Sequence, residues 1–266
     1  VLGSPVSHSL SPVMHRAGLE ALGLDGSYEA IDVDEAGMVR QAERVRVGRL
    51  TGANVTMPHK RIAATLVDAL TTTAARAGAV NTWYIAEGRL MGAITDVHGV
   101  RAVISRRALP ADRVLLLGSG GAAAAALVAC EGMRITVSAR TMDKAYRLVE
   151  ETGVDADVVA WGSAVPGAVI LNATPIGMRG EALPEGLTAP ATGLFDMTYG
   201  TGPSPALREV SARGLPTADG IDLLAAQAEE SFRIWTGLAP PEDLFERVAR
   251  NASRTPNTPP IQEGSE

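Results

Sequence analysis

Cysteine is nearly absent: Cys130 is the only one in 266 residues, so no internal disulfide can form and a reducing compartment is expected. It falls in an alanine-rich stretch, where a small buried hydrophobe is the plainer reading. Aromatic residues make up 4% of the chain, too few for a platform on which single-stranded nucleic acid could stack. A positive excess is missing as well. The 30 Asp and Glu outnumber 24 Lys and Arg, which argues against nucleic acid as a partner. An anionic small molecule is not excluded, because a few local donors suffice to hold one. The four histidines and the one cysteine lack metal-ligand spacing, so no metal site is expected. No apolar run reaches membrane-spanning length and no signal peptide is visible. With 46% apolar and 20% charged residues, the composition is that of a cytoplasmic soluble protein with one large core or two modest ones.

What is present alternates between strand-like and helix-like segments, the pattern of an α/β protein. Short β-like runs fall at 1–2, 28–33, 52–56, 82–86 and 90–94. Helical spacing marks 12–22, 35–46, 60–70 and 97–108, and a domain junction is expected near residue 100. A second unit repeats the rhythm, with strands expected at 114–117, 135–139, 158–159, 169–172 and 193–195. Its helices are expected at 122–131, 142–151, 205–212 and 222–236, the last closed by Gly237. A final helix at 242–249 and a mobile tail at 251–266, rich in Pro, Ser, Asn and Thr, complete the chain.

Residues 114–123 read Val-Leu-Leu-Leu-Gly-Ser-Gly-Gly-Ala-Ala, an apolar strand feeding a glycine turn and an alanine-rich helix. Backbone N–H groups and the helix dipole at such a turn face an anion, and Gly118 and Gly120 remove side chains that would block it. The phrase matches G-x-G-x-x-A, with Ala123 where a third glycine often stands. An ordinary strand-to-helix turn is the plain alternative; a nicotinamide or flavin nucleotide is the reading the flanking elements favour.

Three polar clusters sit where a structural loop does not need them. Ser9 and Ser11 flank Leu10 ahead of a helix beginning near Pro12, where hydroxyls and free N–H groups can hold a carboxylate. Ser11 alone reads as a helix N-cap. Asn54, Thr56, His59 and Lys60 follow a short strand, and Lys60 stands near a helix start, where the dipole disfavours a cation. Taken alone, Lys60 reads as a solvated surface residue. Asn81-Thr82 and Thr95-Asp96 bracket two further strands, and Asp96 alone reads as a helix cap. A Lys60–Asp96 pair across a cleft would exchange or orient protons at a carbonyl. Attraction favours the ammonium and desolvation opposes it, so the two are treated as one dyad.

Taken in order, these clusters resemble the shikimate dehydrogenase family, including its quinate/shikimate members. His8-Ser9-x-Ser11-Pro12 with His15, Asn54-Val-Thr56-x-Pro58-x-Lys60, Gly78-Ala-Val-Asn81-Thr82 and Thr95-Asp96-x-x-Gly99 come first. Arg140-Thr141-x-x-Lys144, Asn172-Ala-Thr174-x-x-Gly177-Met178, Asp196-Met-x-Tyr199 and Gln227 before Trp235-Thr-Gly237 follow the glycine turn. The resemblance spans Gly3 to about Gly237. It implies a two-domain enzyme of aromatic amino acid biosynthesis that reduces 3-dehydroshikimate to shikimate with a nicotinamide cofactor. An N-terminal α/β substrate domain (1–100) would receive the C-terminal helices (222–250), with a Rossmann-type domain at 101–221. By motif position Ser9 and Ser11 would hold the carboxylate; Thr56, Asn81 and Gln227 would take ring hydroxyls, with Tyr199 nearby. Lys60 and Asp96 would be the catalytic pair. Gly118, Ser119, Gly120, Gly121, Ala122, Arg140, Thr141, Lys144, Thr174 and Gly220 would bind the cofactor.

Several positions depart from the family pattern. Ile94 replaces an asparagine before Thr95-Asp96, Ala139 replaces one before Arg140-Thr141, Arg16 replaces one after His15, and Pro203 comes later than the usual proline after Tyr199. Arg140 remains able to grip a 2′-phosphate, with Lys144 adding charge, and no acid ends the preceding strand to take a ribose hydroxyl. NADP is therefore expected, with NAD the second choice. The departures are compatible with a divergent paralogue acting on quinate or an amino-substituted analogue. A ligand sensor that has lost hydride transfer is a further alternative, and a folate-linked dehydrogenase a remote one. The expected assembly is a monomer or homodimer.

Overall fold

Short strands and amphipathic helices alternate along the N-terminal half. The computed structural model describes residues 1–200 and 202–254. In order come β1 (Leu2–Gly3), α1 (Ser11–Ala21), β2 (Ile31–Asp32), α2 (Glu35–Arg46), β3 (Gly52–Asn54), α3 (Lys60–Thr65), β4 (Ala69–Leu70), α4 (Thr72–Ala77), β5 (Thr82–Ala86), β6 (Arg89–Ala93) and α5 (Thr95–Arg106). The sheet runs β3-β5-β6-β4, and β1 pairs with β2 in parallel beside it. A single parallel bridge from Leu2 to Val55 carries that pair onto the β3 side of the sheet. The helix expected at 60–70 stops at Thr65, because Ala69 and Leu70 leave it to pair with Met91 and Gly92. The strand expected at 52–56 ends at Asn54, and α4, absent from the sequence reading, starts where Thr71 accepts the Ala74 N–H.

The second half is a parallel sheet with the order β12-β11-β10-β7-β8-β9. Its elements are β7 (Arg113–Leu117), α6 (Gly121–Ala129), β8 (Arg134–Ser138), α7 (Met142–Thr152), β9 (Asp157–Val159), β10 (Val169–Asn172), β11 (Gly193–Asp196), α8 (Pro205–Ala212) and β12 (Thr217–Ala218). The strand order reverses between β7 and β10, which opens a crevice at the carboxyl ends of those strands. Val114–Leu117 are buried on both faces, which is why their apolar run is unbroken. The residues Ala123–Ala129 of α6 are buried too, since α4, α5 and α7 cover that helix as well as the sheet. Small side chains are what permit so many neighbours. The edge strand β12 was not read from the sequence.

The chain then returns to the first half. α9 (Gly220–Thr236) starts at Asp219, which accepts the Ile221 and Asp222 N–H groups, while Asp222 accepts the Asp219 N–H. It packs along α5, and α10 (Leu244–Arg254) packs on α9 and α1 around Met14, Phe232, Phe245 and Ala249. Gly18 of α1 is required here, because a Cβ would stand 2.8 Å from the rings of Phe232 and Phe245. Ion pairs tie the crossing points together: Arg107 at the end of α5 meets Asp222 and Glu246, and Arg250 meets Asp219, Asp222 and Glu246. On the other side Arg76 of α4 donates to both oxygens of Glu131. Residues 251–254, expected to begin the tail, continue α10; the rest of that expectation, 255–266, lies outside the described residues. Among the described residues no helix is long and apolar enough to cross a membrane.

Candidate active site

Lys60 opens α3 and Asp96 is the second residue of α5, and the sheet between them brings the two side chains face to face. Lys60 Nζ donates to both Asp96 oxygens at 2.8 and 2.9 Å. The Asp96 side chain is 6% exposed and the Lys60 side chain 22%. Gln227, from the returning α9, donates Nε2 to Asp96 Oδ1 at 2.9 Å. Gly99 makes that approach possible, since a Cβ there would come to 3.0 Å from Gln227 Cγ and Leu223 Cδ1. Asp96 is therefore not the cap of α5; the cap position is Ile94, whose side chain accepts nothing and is buried in the core.

Asn81 supplies what Ile94 lacks. Its Oδ1 accepts the Thr95 N–H, the first amide of α5, at 2.8 Å, and its Nδ2 donates to Thr95 Oγ1 at 3.0 Å. The start of the helix that carries Asp96 is thus held from a loop preceding β5.

One cleft is lined by Ser9, Ser11, Thr56, Lys60, Asn81, Tyr199 and Gln227, the full set expected around the substrate except Asp96, which lies behind Lys60 and Gln227. Ser11 is not the N-cap of α1 but its first helical residue; Leu10 holds the cap position without a side-chain bond, and Ser9 Oγ accepts the Ser11 N–H at 3.2 Å. Two hydroxyls at a helix N-terminus remain directed at the same space. Thr56 reaches the cleft past Gly3, where a Cβ would lie 2.4 Å from Thr56 Cγ2. Lys60 and Asp96 form the charged pair of this cleft; the other lining side chains are neutral.

Asn54 and Ser231 also line the cleft; the sequence placed Asn54 in a polar cluster without a role, and Ser231 was not singled out. Both were reachable from spacing. Asn54 is two residues before Thr56 near the end of a strand, and Ser231 is four after Gln227 on one helix face. Asn54 Nδ2 donates to Ser231 Oγ at 2.8 Å and to Thr82 Oγ1 at 3.1 Å, while the Tyr28 phenol donates to Asn54 Oδ1 at 2.6 Å. Behind them His15 stacks on Tyr28 with ring centroids 4.3 Å apart, and its Nε2 is buried without a partner among the described residues. Burial pushes the His15 imidazole down to about 3, so it stays neutral. His59 is likewise structural, its Nε2 lying 2.7 Å from Val33 O.

The nucleotide-side residues gather at the crevice. Gly118 has φ +117, a conformation that favours glycine, and a Cβ there would lie 3.1 Å from Ala173 O. Cβ atoms built on Gly120 and Gly121 would meet nothing within 4 Å, and Gly120 caps α6 with no side chain. An exposed turn of amides thus faces open space beside Ser119 and Ala122, at the switch point of the sheet, an arrangement suited to an anion. Arg140, Thr141 and Lys144 are exposed beyond β8, and Arg140 and Lys144 make no ion pair among the described residues. Thr174 spends its hydroxyl on its own loop, donating to Asn172 Oδ1 at 2.6 Å and accepting from Ile176 N at 3.2 Å. Gly220 donates its N–H to Thr198 O, and a Cβ there would stand 2.6 Å from that backbone. Ala139 is buried in the core, as Ile94 is, and Arg16 is exposed.

The chain matches two family models: the shikimate dehydrogenase substrate binding domain over residues 1–83 and the shikimate 5'-dehydrogenase C-terminal domain over residues 220–250. A shikimate dehydrogenase (NADP(+)) of Exiguobacterium sibiricum is 38% identical over 255 residues, covering 94% of this chain and 96% of that protein. One of Thermus thermophilus is 38% identical over 258 residues, covering 95% and 97%. A crystal structure of shikimate 5-dehydrogenase from Thermus thermophilus in complex with NADP(H) and shikimate superposes with a TM-score of 0.85 at 36% identity, covering 94% of this chain and 97% of that one. The ligand-free 5-ketofructose reductase of a Gluconobacter strain reaches a TM-score of 0.87 at 28% identity, covering 94% and 96%, so the architecture serves more than one named activity.

Proposed function

The chain belongs to the shikimate dehydrogenase family, and from that premise we propose that it interconverts 3-dehydroshikimate and shikimate with NADP(H) in the pathway to aromatic amino acids. The observation that carries the reading is the ion pair of Lys60 and Asp96, braced by Gln227, in the same cleft as the serine pair.

The substrate half comprises residues 1–100 with 222–250, and the nucleotide half 101–221. Ser9 and Ser11 hold the carboxylate with hydroxyls at the start of α1, so no second cation is needed beside Lys60. Thr56, Asn81 and Gln227 take the ring hydroxyls, and Tyr199 covers the mouth. These neutral groups leave the ring one orientation, with the carbonyl oxygen toward Lys60. Lys60 Nζ gives a proton to that oxygen as it becomes an alkoxide, and Asp96 holds the ammonium in place. In the reverse direction the dyad accepts the proton. The hydride comes from NADPH when it is bound. The pyrophosphate would lie on Gly118–Ala122 and the 2′-phosphate on Arg140, Thr141 and Lys144, with Thr174 and Gly220 bounding the nicotinamide end. No acid follows β8 until Asp143, which favours NADP over NAD.

A buried single thiol and a pathway that uses NADP(H) support a cytoplasmic location. Ile94 and Ala139, the main sequence support for a non-catalytic sensor, are buried in the core and do not line the cleft, while Lys60 and Asp96 are paired. The test is absorbance at the reduced-nicotinamide band for shikimate and quinate, each with NADP and NAD. Turnover is expected with shikimate and NADP. Activity confined to quinate or NAD overturns the specificity, and silence with the nucleotide still bound overturns the reaction.

A further inference from the structure

We propose that Ser231 is a positioning residue: its hydroxyl sets Gln227 against Asp96 and so fixes the direction in which Lys60 presents its proton. The inference rests on the catalytic reading of Lys60 and Asp96 above.

Ser231 is 1% exposed in the interior of α9. A serine there is a poor choice for the helix: alanine propagates it better, and a buried hydroxyl costs desolvation unless it is bonded. Its value lies in its contacts. Ser231 Oγ donates to Gln227 O, one turn back, at 3.0 Å. With its single proton placed, the oxygen accepts from Asn54 Nδ2 at 2.8 Å. The Asn54 amide is oriented for this by the Tyr28 phenol on its Oδ1. Thr82 Oγ1 and Thr95 Oγ1 stand 3.2 and 3.5 Å from the same serine oxygen.

One atom therefore touches groups from β3, β5, α5 and α9, of which β3 and α9 line the cleft and α5 carries Asp96. The contacts fix α9 at the turn that carries Gln227, and the Gln227 carboxamide then reaches Asp96. Asp96 in turn receives both bonds from Lys60. With alanine at 231, Gln227 O and Asn54 Nδ2 each lose a partner, the turn loosens, and Gln227 no longer holds the carboxylate in one rotamer.

The test is a double-mutant cycle of Ser231→Ala and Gln227→Ala, read in kcat for shikimate oxidation and in Tm. Acting through Gln227, S231A lowers kcat about fivefold and leaves the KM for NADP unchanged. In the Q227A background it changes kcat less than about twofold, because the path is already cut. Full effects that multiply, or a lower Tm with kcat intact, overturn the proposal. A crystal structure of S231A provides a readout that needs no turnover. Gln227 is expected off Asp96, and a Gln227 still bonded there overturns the proposal. A wild-type enzyme silent toward shikimate overturns the function proposed above, and the S231A structure still decides the role of Ser231.

Discussion

Replacing Lys60 by Met keeps an unbranched stem of about the same reach up to Cε and removes its ammonium, and two separate losses follow. The first is chemical. In the proposed mechanism the proton donor to the alkoxide is gone, and a positioned general acid contributes about 10²–10⁴ in rate. We expect kcat to fall about a thousandfold, with the shikimate KM changed less than about fivefold, since in the proposed binding mode Ser9 and Ser11 hold the carboxylate. The second loss is in stability. Asp96 is 6% exposed in its side chain and keeps one bond, from Gln227, when both Lys60 bonds are removed. Stripping one partner from a fully buried pair costs roughly 3–5 kcal/mol. Lys60 is 22% exposed and water reaches its end of the pair, which reduces the loss to about 2 kcal/mol. For a chain of this size that is a drop in Tm of roughly 4–8 °C. Asp96→Asn added to K60M removes the stranded charge, so the double variant recovers most of the Tm and none of the kcat. Stopped assays of reduced nicotinamide and thermal melts of the wild type, both single variants and the double read both losses. K60M with more than a tenth of wild-type kcat refutes the proton-donor role. Equal Tm losses in K60M and K60M/D96N refute the stranded-carboxylate argument.

Two other perturbations probe different parts of the molecule. Arg140→Gln removes the exposed guanidinium beyond β8, and the KM for NADP should rise roughly 10–100-fold while that for NAD stays within about twofold; equal changes would place the 2′-phosphate elsewhere. His15→Phe concerns pH. The folded chain holds His15 down to about 3, against 6.5 for the ordinary side chain, so below about 6.5 the unfolded chain takes up the extra proton. Stability therefore falls with pH between about 6.5 and about 3, by about 1.4 kcal/mol per unit from this group, and is unaffected by it above that window. Urea unfolding from pH 7 to 5 should show wild type losing about 2 kcal/mol more than H15F; parallel curves would exclude His15 as the cause.

Much of the site could be read before any coordinates because its residues occupy locally recognisable places. Gly118, Gly120 and Gly121 announce a turn that needs no tertiary context, since left-handed backbone and an uncovered helix end are properties of a few consecutive residues. Lys60 stood out because a cation at a helix start runs against the local dipole. What escaped was set by partners far along the chain. β4 and β12 have two residues each, too short for any periodicity, and exist because β6 and β11 offer their edges. Taken alone, Ser11 and Asp96 read as helix caps; in the fold Ser9 accepts from the start of α1, two residues away, and Asn81 accepts from the start of α5 from 14 residues away.

Apolar runs, glycine turns and the supply of hydroxyls, amides and two lysines are written in neighbouring residues, because strand burial, backbone freedom and functional-group chemistry act at short range. They point to an α/β chain with a glycine turn suited to an anion and a polar set of candidate site residues. Closing the site needs longer range. Lys60 meets Asp96 across 36 residues and Gln227 meets Asp96 across 131, after α9 has crossed back from the parallel sheet and settled into the space left by Gly99. Whether an ammonium and a carboxylate separated by that much chain stand 2.8 Å apart depends on sheet order and helix packing, and these belong to the folded whole.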